Sequence, residues 1–98
     1  MALHHVVLLK SAGGDDAGAL DPLIATLVAT APGVLSRETQ SDLGLRPGNA
    51  RSYQRLIHLT FADAAAFRTY LDCAEHQAFL AAIPDLVQTI AAIQYDGD

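Results

Sequence analysis

Apolar residues change rhythm several times along this chain, and each change marks an element. The run Leu3–Leu9 (LHHVVLL) is nearly continuous and has the length of one strand. Ile90–Tyr95 (IAAIQY) is its counterpart near the other end. Between them, Leu20, Leu23, Ile24, Leu27, Val28 and Ala31 recur at the three-and-four spacing of an amphipathic helix. Asp15, Asp16 and Asp21 are candidate N-caps, Pro22 suits a first helical turn, and Pro32-Gly33 ends the helix. Val34–Gln40 reads as a partly exposed strand, 41–51 as a loop able to act as a lid, and Tyr53–Phe61 as a central strand. Helix returns over Ala64–Leu71, breaks near Asp72, and resumes from Ala74 to about Ile83. Pro84-Asp85 then opens a last short turn, to about Thr89.

The order is β-α-β-β-α-β, so the expected fold class is α+β: a ferredoxin-like arrangement of one antiparallel four-stranded sheet with helices on one face. Alternation along Tyr53–Phe61 puts Arg55, Ile57, Leu59 and Phe61 on one side, with Leu56, His58 and Thr60 on the other. Both sides carry apolar residues. Helices cover one, and a second copy of the chain is the economical cover for the other, which predicts a homodimer.

Bulk properties narrow the function. A chain of 98 residues supports a single domain spanning 1–98. Half of it is hydrophobic (51%), which is much apolar material for a small interior and again favours a partner or a lined cavity. A net charge of −5 disfavours nucleic acid and anionic membrane surfaces as partners. No apolar run is long enough to cross a bilayer, and no signal peptide is evident. A lone cysteine permits no internal disulfide, so a cytoplasmic location is expected.

The chemistry rests on histidines. His4 and His5 are strand neighbours and point to opposite faces, with His5 on the side of Val7 and Leu9. No HxxxH, HExxH or CxxC spacing suggests a metal, and no cofactor is called for. His76 is informative because it follows Tyr70 by six residues. In one continuous helix the two would stand about 120° apart, too far round to cooperate. Asp72-Cys73-Ala74-Glu75 has the form of a capping box, however, and a new helix beginning there brings the rings together. His76 then lies in a first helical turn, where the positive end of the dipole favours the neutral ring a general base requires. Spacing alone favours an ordinary surface or capping histidine. Cys73 carries no nucleophile signature. Arg55 either reaches solvent or holds an anionic ligand group with a forked hydrogen bond.

With these residues in view, the chain resembles the stress-responsive A/B barrel (Dabb) family over nearly its whole length. The resemblance is carried by HHVVLLK, by PGVLS, by SYQRLIHLTF, and by DAAAFRTYLDCAEHQAF, which is similar to the family's Y-x-x-x-P-x-H-Q-x-F region. It implies a dimeric α/β barrel of two such sheets. One branch, plant olivetolic acid cyclase, is a cofactor-independent polyketide cyclase with a Tyr–His pair. By motif position that pair is Tyr70 and His76, with His5 on the first strand. The same resemblance implies a cleft lined by Val7, Leu9, Arg55, Ile57, Leu59 and Phe79 that binds an apolar or aromatic small molecule. This chain has Arg55 where the cyclase has histidine, Ala74 where the family often has proline, and Gln94 where it commonly has aspartate. The alternatives are a non-enzymatic stress-response dimer and, by analogy of fold alone, a cofactor-free monooxygenase.

Overall fold

The computed structural model describes residues 1–13 and 16–98. Its elements are β1 (Ala2–Ser11), α1 (Asp16–Thr30), β2 (Ser36–Ser41), β3 (Arg55–Phe61), α2 (Ala64–Asp72), α3 (Ala74–Ala82) and β4 (Val87–Gly97). The strands form one antiparallel sheet in the order β2-β3-β1-β4. This is the expected ferredoxin-like arrangement, with its second helical segment divided in two.

Register decides which residues meet. On the helix-covered face, His5 stands opposite Leu59 on β3 and Gln94 on β4, and Val7 opposite Ile57 and Ala92. Leu9, Ile57, Leu59 and Phe61 are fully or almost fully buried there beneath Leu20, Ile24 and Leu27 of α1, Tyr70 of α2 and Phe79 of α3. The other face presents His4, Val6 and Leu8 of β1, Leu56, His58 and Thr60 of β3, and Ile93 and Tyr95 of β4. Ile93 is 60% and Tyr95 44% exposed on it, so apolar surface remains uncovered.

Helix α1 starts a full turn earlier than the apolar spacing indicates. Asp16 lies in its first turn, where a carboxylate suits the positive dipole end. Pro22 is therefore interior rather than at the start, and Asp21 is not a cap. The proline is tolerated because it and Gly18, whose carbonyl loses a donor, both face solvent. Asp15, the remaining N-cap candidate, lies outside the described residues. Gly33 closes the helix at φ 77°, a left-handed conformation that favours glycine.

Strand β4 runs from Val87, so the turn after Pro84 is shorter than expected. It ends where the Leu86 and Val87 amides donate to the Ile83 carbonyl. Val87, Gln88 and Thr89 then extend the pairing along β1 through a register shift at Lys10/Ser11. Strand β2 is polar and exposed along its whole length, as an edge strand tolerates. The loop between β2 and β3 is tied at its base by the Asp42 amide donating to the Gln54 carbonyl (3.0 Å). None of its residues lines the cleft described next, so it is no lid over that cleft.

Candidate functional site

The cleft owes its existence to the break between α2 and α3. Cys73 is extended (φ −72°, ψ 156°), and its amide donates to the Tyr70 carbonyl at 3.1 Å. Its Sγ accepts from the His76 amide at 3.3 Å. Cys73, not Asp72, is therefore the N-cap of α3, and the capping box read from the sequence is displaced by one residue. The thiol can serve because a cap needs only an acceptor placed over the first-turn amides. The change of direction brings Tyr70, in the last turn of α2, against His76, in the first turn of α3. Their ring centres are 4.8 Å apart and tilted by 50°.

Between this corner and the sheet lies a cavity of about 170 Å³. The polar groups at its wall are His5, Tyr70 and His76, and the rest of its lining is apolar, including Val7, Leu9, Ile57 and Phe79. The His5 and Tyr70 rings meet edge-on at 6.1 Å. Phe67 supports His5 from the side at 4.8 Å.

Hydrogen bonding gives the two histidines opposite tautomers. His76 Nδ1 lies 3.0 Å from the Leu71 carbonyl, which can only accept, so Nδ1 carries the proton and Nε2 presents a lone pair. The amide nitrogen of Gln94 donates to His5 Nδ1 at 2.9 Å, so His5 carries its proton on Nε2. Burial, reinforced by the nearby His76, lowers the His5 pKa to about 4 and keeps its ring neutral. Burial likewise pushes the Tyr70 hydroxyl up to about 12, with Cys73 adding to the effect, and keeps it a phenol. One base and two neutral donors thus border an apolar space. That set suits proton abstraction beside a carbonyl whose oxygen is held by hydrogen bonds.

The placement of the expected residues is uneven. His5, Val7, Leu9, Ile57, Tyr70, His76 and Phe79 all line the cavity. Leu59 shares their face but is wholly buried beneath the lining. Arg55 does not reach the cavity. Its guanidinium is held by Asp21 of α1, with Nε 2.7 Å from Oδ1 and Nη2 3.2 Å from Oδ2. Asp21 passes close to the start of β3, so the forked bond that a ligand would need is already made within the chain. Leu27, Leu71, Leu80, Ile90 and Ala92 complete the lining. For Ile90 and Ala92 the signal was present, since they alternate with Gln94 along one strand.

A second group of histidines occupies the uncovered sheet face. His4 Nδ1 is 2.8 Å from His58 Nε2, and His58 Nδ1 is 3.7 Å from Glu38 Oε1. His4 stacks flat on Tyr95 at 4.8 Å, and its Nε2 is buried without a partner among the described residues. His4 and His58 belong to different strands, so only the register brings them together.

The profile of the stress responsive A/B barrel domain matches residues 3–96 of the chain. No curated protein matches it at a significant level. Among solved structures, a dimeric ferredoxin-like protein of unknown function from Thermobifida fusca is 26% identical. Its TM-score is 0.78, over 97% of this chain and 90% of that one. A Dabb family protein with a ferredoxin-like fold from Mesorhizobium loti is 21% identical, with a TM-score of 0.79 over 98% and 96% of the two chains. A protein from Arabidopsis thaliana is 19% identical, with a TM-score of 0.78 over 98% and 95%. The strand order, the divided second helix and a profile that spans both terminal strands agree: the chain belongs to the stress-responsive A/B barrel family.

Proposed function

We propose that this protein is a homodimer that binds a small apolar or aromatic molecule in the cleft between helices and sheet and acts on it by cofactor-independent acid/base chemistry. The observation that carries this reading is the convergence of His5, Tyr70 and His76 on one apolar cavity. His76 Nε2 removes a proton from the carbon next to a ligand carbonyl. Tyr70 Oη and His5 Nε2–H donate to the oxygen as negative charge grows there. Such a step needs neither metal nor cofactor and belongs to the same class as the aldol chemistry of polyketide cyclases. A screen of carbonyl compounds and phenols, read by protein NMR and by turnover, compares wild type with His76→Ala. Equal binding and equal turnover in the two would remove His76 from the mechanism.

Assembly rests on the other face of the sheet. Exposed Ile93 and Tyr95, with Tyr95 stacked over His4, make an apolar surface that a second copy would cover. The Thermobifida fusca protein of the same fold is dimeric, which supports the same state here. Light scattering should give twice the 10.4 kDa of one chain. A clean single-chain mass would overturn the dimer and leave the cleft chemistry standing. The same surface favours a second reading, in which the dimer serves a stress response without catalysis. Wild-type protein that binds and converts nothing in the screen would select it.

A further inference from the structure

Positive charge gathers at one place on this acidic chain. Three of its six lysines and arginines, Lys10, Arg46 and Arg55, line one open cavity of about 710 Å³ beside the loop between β2 and β3. Asp42 is the one carboxylate that lines it among the described residues, and it accepts from the Gly44 amide at 2.9 Å. The cavity shares no lining residue with the cleft. Lys10 stands five residues along β1 from His5, roughly 17 Å at the rise of a strand, and points to the opposite face.

The loop holds these groups in a defined frame. Arg46-Pro47-Gly48-Asn49 has the signature of a type II turn, with proline and glycine as its central residues. The Asn49 amide closes the turn on the Arg46 carbonyl at 3.1 Å, with Gly48 at φ 73°. Asn49 Oδ1 accepts from the Arg51 amide at 2.8 Å, so the two N–H donors of its side chain remain for a ligand. Lys10 is half-buried. Its ammonium donates to the Ala50 carbonyl, lies 5.8 Å from the centre of the Tyr53 ring, and keeps two further donors. Arg46 makes no ion pair among the described residues, whereas Arg55 already holds Asp21. Lys10 and Arg46 are therefore the two cations left to meet an anion.

We propose that this cavity is a second binding site, for a small polar molecule that carries a phosphate group. A phosphate monoester brings about two negative charges and three strong acceptor oxygens, which matches two cations and the Asn49 amide. A carboxylate brings half that charge and leaves one of the three donor groups unused. No leucine, isoleucine, valine or aromatic residue lines the cavity, so the body of the ligand has no large apolar side chain to pack on. The cleft selects the reverse, an apolar and uncharged molecule, and the proposal does not depend on it.

Amide NMR tests the site by titrating the wild-type protein at constant ionic strength with inorganic phosphate, glucose 6-phosphate and acetate. Both phosphates should shift the Arg46, Asn49 and Ala50 amides saturably and leave the His5 and His76 resonances in place. Lys10→Gln and Arg46→Gln should each weaken binding by about tenfold, the factor for one hydrogen bond to a charged group. Arg37→Gln and Arg68→Gln, away from the cavity, should change nothing. Arg46 is exposed, so its variant removes the charge with the fold intact. Unaltered binding in Arg46→Gln, or equal weakening in all four variants, would overturn the site. Acetate binding as tightly as phosphate would overturn the phosphate class. The absence of any saturable shift would overturn the proposal and leave the cleft reading standing.

Discussion

Acid should destabilise this protein through His5 well before its carboxylates protonate. The ring is only 6% exposed, and burial with help from His76 brings its pKa from 6.5 to about 4. In the unfolded chain the same ring regains its ordinary value. Above pH 6.5 both states hold it neutral, and its contribution to folding does not vary. Between pH 6.5 and 4 the unfolded chain binds a proton that the folded chain refuses, so stability falls as pH falls through that window. Below about 4 both states are protonated and the loss levels off. A shift of this size corresponds to about 3 kcal/mol, a large share of what a small domain has to lose. Urea denaturation at fixed protein concentration, from pH 8 to pH 4, measures it, and His5→Gln is the control because it keeps a polar side chain but cannot titrate. Wild type should lose about 3 kcal/mol more than the variant across the window. His76→Gln removes the second cause and should return part of the loss. Parallel curves for wild type and His5→Gln would refute the assignment of a buried neutral ring to His5.

Two other expectations concern the devices around the site. Cys73→Ala removes the acceptor over the His76 amide and should cost about 1 kcal/mol in urea unfolding, with Cys73→Ser restoring most of it. An equally stable alanine variant would mean that the cap contributes nothing. A double-mutant cycle on Arg55→Gln and Asp21→Asn should give a coupling of no more than about 1 kcal/mol, weaker in high salt, because Asp21 is more than half exposed. The same Arg55 variant should bind cleft ligands as wild type does, and a loss of affinity would place the guanidinium in the site after all.

The elements themselves were legible because each keeps one period. Leu20 through Ala31 follow the helical spacing, Tyr53–Phe61 alternates, and the Pro32-Gly33 pair stops a helix. The cleft was legible for a similar reason: parity put His5, Val7 and Leu9 on one face, and the break after Tyr70 explained how His76 comes round to meet it. What stayed hidden depends on contacts between elements. Arg55 carries the right parity for the cleft, yet no local pattern says that Asp21 of a separate helix takes its guanidinium. The cap fell on Cys73 because a thiol acceptor has no place in the usual capping signature. His4 and His58 are 54 positions apart and meet only through strand register. Helix α1 began early because Asp16–Ala19 contains no proline and its one glycine, Gly18, stands at an exposed position where a helix tolerates it, although the segment adds little to the apolar stripe.

The strand order has a consequence for how the site is assembled in time. Strand β1 is central, with β3 on one side and β4 on the other, so its second edge stays open until the last strand exists. His5, at the wall of the cleft, and Gln94, which orients its ring, are 89 positions apart. Closing so large a loop is slow compared with local helix formation, and contacts of this range retard folding. On a ribosome, β1, β2 and β3 can pair while β4 is still in the exit tunnel, leaving an apolar strand edge unpaired. His5, the cleft's strand histidine, therefore acquires its tautomer last, and a chain stalled before Gln94 carries every candidate catalytic side chain without a finished site.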